Sequence, residues 1–160
     1  MIIKKILSFA ASIINIFIIQ IILLSNSISD ENINKYFSND HGILSLMYHR
    51  FNENKYPSTN IKMEIFDEHM KIIKKLDYEF YNAKTFVKEF DKIKNKKKIL
   101  ITIDDGFRSF YDEAWPYLKK NKIPFILFVS TEPIGKNGYM DWNEIKEIEK
   151  SEFGFIGHHS

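Results

Sequence analysis

Residues 99–103, Ile-Leu-Ile-Thr-Ile, form an unbroken apolar and β-branched run that stops at Asp104, Asp105 and Gly106. Five such residues without polar alternation predict a strand covered on both faces. That cover typically comes from helices lying over a parallel sheet. "IPFILFV" at 123–129 repeats the pattern. Between the two runs, Tyr111, Ala114, Trp115 and Leu118 recur at helical spacing on an inner side. Pro116 lies inside that stripe and leaves the start of the helix open.

The flanking chain has the same grammar. "GILSLMYHRF" at 42–51 reads as a short strand, also covered on both faces, with His49 at its exit. Phe66, Met70, Ile73 and Leu76 form the apolar stripe of a helix, with His69 on its solvated side. "YEFY" at 78–81 reads as the next strand, and Phe86, Val87, Phe90 and Ile93 mark a helix over 85–93. Trp142, Ile145 and Ile148 make another inner stripe behind Asp141, a candidate N-cap. "FGFIGHHS" at 153–160 opens one more strand. Strand followed by helix, repeated about four times, predicts an α/β fold with a parallel sheet. The pattern allows a closed or nearly closed barrel as well as an open sheet.

In both arrangements active sites gather at the carboxyl ends of the strands. Asp104, Asp105, His49, His158 and His159 all fall at such ends. Successive residues leaving a strand point differently, so one carboxylate can hold a cation while its neighbour faces a water molecule. Neutral imidazole suits zinc and related metals. The pattern points to a hydrolytic metal centre with a carboxylate base. The competing reading is a plain turn, since Asp accepts local backbone hydrogen bonds and Gly tolerates unusual dihedrals.

Composition removes other classes. The absence of cysteine excludes disulfides, thiolate nucleophiles and cysteine-ligated metals. With 23 Lys and Arg against 21 Asp and Glu, the net charge is +2, which is no nucleic-acid signature. The basic run Lys94 to Lys98 reads as a solvated turn, and no nucleic-acid partner is expected. At the amino end, Lys4 and Lys5 precede an uncharged segment, residues 6–24. Such a segment fits either a cleaved export signal or a retained membrane anchor. Residues 1–29 are therefore set apart from the fold, 30–41 read as a polar linker, and 42–160 as the folded domain. An exported protein at the cell surface, in the periplasm or outside the cell is expected.

"TIDDGFRSFYDEAWPYLKKNKIPFILFV" at 102–129 resembles the first motif and following helix–strand unit of the polysaccharide deacetylase family, also called the NodB-homology family. The usual Thr-Phe-Asp-Asp-Gly appears as Thr102 to Gly106, with Ile103 in place of Phe. "LMYHRF" at 46–51 looks like the opening strand of many members, and "MDWNEIKEI" at 140–148 like the helix before the second motif. "IGHHS" at 156–160 resembles the start of that motif, His-[Ser/Thr]-x-x-His. The resemblance implies the amino-terminal portion of a distorted (β/α) barrel that removes N-acyl groups from amino-sugar polysaccharides. It implies Asp104 as general base, with Asp105 and His159 as ligands of a divalent metal, zinc by donor type. His158 and His49 remain rim positions without an assigned role. The motif's other histidine would stand three residues beyond Ser160, and the later family motifs would follow it. Two rival readings stay open: a non-catalytic surface or carbohydrate-binding protein on the same scaffold, and a metal-dependent hydrolase of a smaller amide. The oligomeric state is not legible.

Overall fold

The computed structural model describes residues 43–85 and 97–160. The segment 6–24 and most of the helix expected over 85–93 lie outside the described residues. Among the described residues no helix is long and apolar enough to cross a membrane.

The sheet is parallel throughout. Strand β1 is Leu44–Tyr48, β4 is Glu79–Phe80, β5 is Lys98–Asp105, β6 is Phe125–Val129 and β7 is Gly154–His158. Their order is β1-β5-β6-β7, and β4 pairs with the start of β5. Two short segments, β2 (Arg50–Phe51) and β3 (Asn60–Ile61), pair separately just beyond β1. Helices α1 (Met63–Lys75), α2 (Trp115–Asn121) and α3 (Trp142–Lys150) supply the cover. This is the α/β architecture expected from the apolar runs.

Strand β5 is the best-covered element. Ile99, Ile101 and Ile103 are buried, and Thr102 and Asp104 are buried as well. Phe66 and Met70 of α1 are fully buried in the same core, each worth roughly 1.5–3 kcal/mol in area removed from water. Edge-on ring contacts knit the layers: Tyr48 to Phe66 at 5.0 Å, Phe51 to Phe66 at 5.2 Å and Phe110 to Phe125 at 5.4 Å between centroids.

Four local expectations change. Strand β5 does not stop before the acids: both Asp104 and Asp105 are paired with β6. Strand β1 is covered on one face only among the described residues, with Met47 62% exposed and Tyr48 buried, because no described helix lies over its Ser45–Met47 face. Trp142 is not inner but 49% exposed; Ile145 and Ile148 carry the buried stripe. His69 is not merely solvated, since its Nδ1 lies 3.0 Å from the buried Tyr48 hydroxyl. Pro116 sits at the start of a helix rather than inside one. A π-helical turn, Phe110–Ala114, comes first, and the proline falls in the opening turn of α2. Asp141 caps α3 as expected: its carboxylate accepts from the Asn143 and Glu144 amides, and Glu144 returns the bond to the Asp141 amide.

Candidate active site

Parallel register decides which strand exits meet. Tyr48 is level with Ile103, Asp105 with Val129, and Val129 with His158. One residue further on, His49, Ser130 and His159 therefore surround the two carboxylates.

The distances follow. The Nε2 atom of His159 lies 3.6 Å from Oδ2 of Asp104 and 3.8 Å from Oδ1 of Asp105. On the other side, Nε2 of His49 lies 3.9 Å from the same Asp104 Oδ2. Four of the five residues singled out from the sequence are thus brought together. The fifth, His158, is the last residue of β7 and points to solvent. Its neighbour His159 is anchored by its own amide, which donates to the Val129 carbonyl at 3.1 Å.

Sequence reading did not find Ser130. Its hydroxyl donates to Oδ1 of Asp105 at 3.1 Å and so orients that carboxylate. The only available signal was its position one residue past "FILFV". Asp105 also adopts φ 74° and Gly106 φ 80°. Two successive left-handed residues turn the chain sharply away from the strand. Glycine suits Gly106 through its positive φ, and an added Cβ would also stand 3.1 Å from the end of the Ile134 side chain.

Two features bear on a cation. Asp104 is buried, and its Oδ1 is fully enclosed without a hydrogen-bond partner. Such an orphaned anionic oxygen is costly unless a positive charge or a donor reaches it. Secondly, Nδ1 of His159 lies 2.9 Å from the main-chain oxygen of Ser160. That oxygen only accepts, so Nδ1 carries the proton and Nε2 is left to face the two carboxylates. A ring held by its outer N–H with its inner nitrogen toward acids is the usual arrangement of a metal-ligating histidine. The separations of 3.6–3.8 Å exceed a hydrogen bond and lie within ion-pair range. Among the described residues, however, no three His, Asp or Glu side chains complete a metal cage. Asp105 and His159 fit the role of two ligands of a larger set.

Comparison with known proteins bears on the fold and the family. Residues 91–160 match the polysaccharide deacetylase family. The chain is 28% identical over 115 residues to a putative polysaccharide deacetylase, YxkH, of Bacillus subtilis, covering 71% of this chain and 40% of that protein. It is 25% identical over 138 residues to the poly-beta-1,6-N-acetyl-D-glucosamine N-deacetylase of Staphylococcus aureus, covering 77% of this chain and 48% of that one. Among solved structures, IcaB from Ammonifex degensii superposes with a TM-score of 0.64 at 30% identity, covering 75% of this chain and 53% of its own. The chain thus spans under half the length of these two curated relatives. Its fold is that of the polysaccharide deacetylases, a parallel sheet flanked by helices in the manner of a distorted (β/α) barrel.

Proposed function

We propose that this chain is the front part of a metal-dependent hydrolase that removes N-acetyl groups from an amino-sugar polysaccharide outside the cell. The observation that carries the reading is the meeting of His49, Asp104, Asp105 and His159 at the carboxyl ends of three strands. The polymeric substrate is supported by the relative that acts, by its name, on poly-beta-1,6-N-acetyl-D-glucosamine. Export is supported by the charge-then-apolar order of residues 1–29.

Asp105 and His159 would hold the metal, zinc by donor type, with a further histidine expected three residues beyond Ser160. When bound, the metal supplies Lewis-acid polarisation of the acyl carbonyl and acidifies the attacking water. Ser130 fixes the rotamer of Asp105 through its hydrogen bond. Asp104 removes the proton as water adds to the carbonyl carbon. His49, 3.9 Å from Asp104 Oδ2, would deliver a proton to the leaving nitrogen. The C–N bond breaks, giving acetate and a free amine on the sugar.

The rival reading is a non-catalytic carbohydrate-binding protein on the same scaffold. Acetate release decides between them. Full-length protein is incubated with poly-N-acetylglucosamine, with chitin oligomers and with small acetamides, in chelator and in zinc. Zinc-dependent acetate from the polymer is expected. Folded protein that releases none from any of them would leave only the binding reading, and release from the small amides alone would transfer the protein to a different hydrolase class.

A further inference from the structure

Beside the site lies a groove of about 610 Å³, within the roughly 300–1,000 Å³ of small-molecule sites. Its lining takes up the chain just after the site residues without including them. Arg50 follows His49, and Arg108 and Ser109 follow the Asp104-Asp105-Gly106 turn; all three line it. Its walls are built, not incidental. The Arg50 guanidinium lies 3.4 Å from the centroid of the Phe107 ring and 4.3 Å from that of Tyr56. Glu53 grips Arg50 with both oxygens, at 2.9 and 3.2 Å, and accepts the Ser109 hydroxyl at 2.6 Å.

Tyr56 is the unusual member. It is a bulky residue at φ 61°, in the left-handed region that such side chains avoid. It is also 54% exposed, so burial does not explain the strain. Strain kept at an exposed aromatic residue points to function. The conformation sets the ring against Arg50 while leaving much of its surface open to the groove. Asp112 and Asn137 line the same groove and are exposed. Among the described residues Asp112 has no ion pair or hydrogen-bond partner for its side chain, so its carboxylate is free to accept hydroxyl groups.

We propose that this groove is a pyranose subsite, in which Tyr56 stacks on the sugar next to the one being deacetylated and Asp112 accepts its hydroxyl groups. An aromatic face with adjacent polar side chains matches the apolar C–H face and equatorial hydroxyls of such a ring. The inference rests on the deacetylase reading and adds to it that the enzyme grips a chain internally, across at least two sugars.

The test is binding by full-length protein carrying Asp104→Asn, which prevents turnover, with β-1,6-linked N-acetylglucosamine monomer, dimer and pentamer as probes. The pentamer is expected to bind about tenfold tighter than the monomer, a gain in the range of one stacked ring plus hydrogen bonds. Adding Tyr56→Gly should erase most of that gain and leave monomer binding unchanged. Glycine accepts φ 61° without strain, so the thermal midpoint should hold or rise. Tyr56→Phe should keep the gain, and Asp112→Asn should reduce it. Equal pentamer binding by the parent and the Tyr56→Gly variant overturns the subsite while the deacetylase reading stands. Failure of all three sugars to bind the parent overturns both.

Discussion

Asp105 stands at φ 74°, and that one dihedral explains how adjacent carboxylates serve one imidazole. In extended strand, successive side chains leave on opposite faces. The left-handed turn at Asp105 breaks the alternation, so Asp104 Oδ2 and Asp105 Oδ1 both approach Nε2 of His159. Asp is one of the few side chains that tolerate this region. Under the proposed function the two acids have separate jobs. Asp104→Asn should abolish turnover while calorimetric zinc affinity stays close to that of the parent. Asp105→Asn should weaken zinc binding itself. Ser130→Ala should lower zinc affinity about tenfold, the lower end for loss of a ligand-orienting hydrogen bond. Unchanged affinity in Ser130→Ala would remove Ser130 from the site. The carboxylates were legible because they close an unbroken apolar and β-branched run, residues 99–103. Ser130 was not, because a lone serine after a strand looks like any loop residue until β6 is laid beside β5.

At the scale of elements, α3, which leads into β7, is held between a cap before it and a tight turn after it. Asp141 accepts two amide hydrogen bonds at 2.8 and 3.0 Å, and Asp141→Ala should cost about 1 kcal/mol in denaturant unfolding. Gly154 lies where an added Cβ would stand 2.6 Å from the Ile148 carbonyl oxygen, which is backbone and cannot swing aside. Gly154→Ala should therefore cost roughly 1–3 kcal/mol and displace β7, which carries His159. A larger loss of zinc affinity than in Asp141→Ala is expected, since the strand itself must shift. Equal stability of Gly154→Ala and parent would contradict the packing described. The α3 cap was readable because a capping box is local. The exposure of Met47 and Trp142 was not, because each depends on which neighbours a strand or helix acquires, and those come from elsewhere in the chain.

Across the whole molecule, aromatic residues with polar ends join neighbouring elements: Tyr48 of β1 to His69 of α1, Tyr117 of α2 to Asp67 of α1, and Tyr111 to Glu147 of α3. Burial pushes the Tyr48 hydroxyl up to about 12, and burial with a hydrogen bond to Asp67 does the same for Tyr117. Tyr111 rises to about 12 through its hydrogen bond to Glu147. Each holds its proton more tightly folded than unfolded. Their contribution is complete below pH 10, the ordinary tyrosine value, and is lost as pH rises through about 12. Absorbance titration should show a late tyrosinate step coincident with loss of folded circular dichroism. Full ionisation of all tyrosines near pH 10 in folded protein would count against this packing.

The sequence alone determined the α/β class, because a run such as Ile99 to Ile103 needs cover on both faces, and it determined where carboxylates and imidazoles leave their strands. It also carried the family resemblance, through motifs that are local in the chain. Only the tertiary structure decided that β1 lies against β5, a pairing across the intervening segments, in a register that sets Tyr48 level with Ile103. That register, continued through β6 to β7, brings His49 and His159 to opposite sides of Asp104 and leaves His158 in solvent. Hydrophobic periodicity is a property of neighbours in sequence, whereas strand order and register are set by how distant apolar faces pack, and the site exists only at that second level.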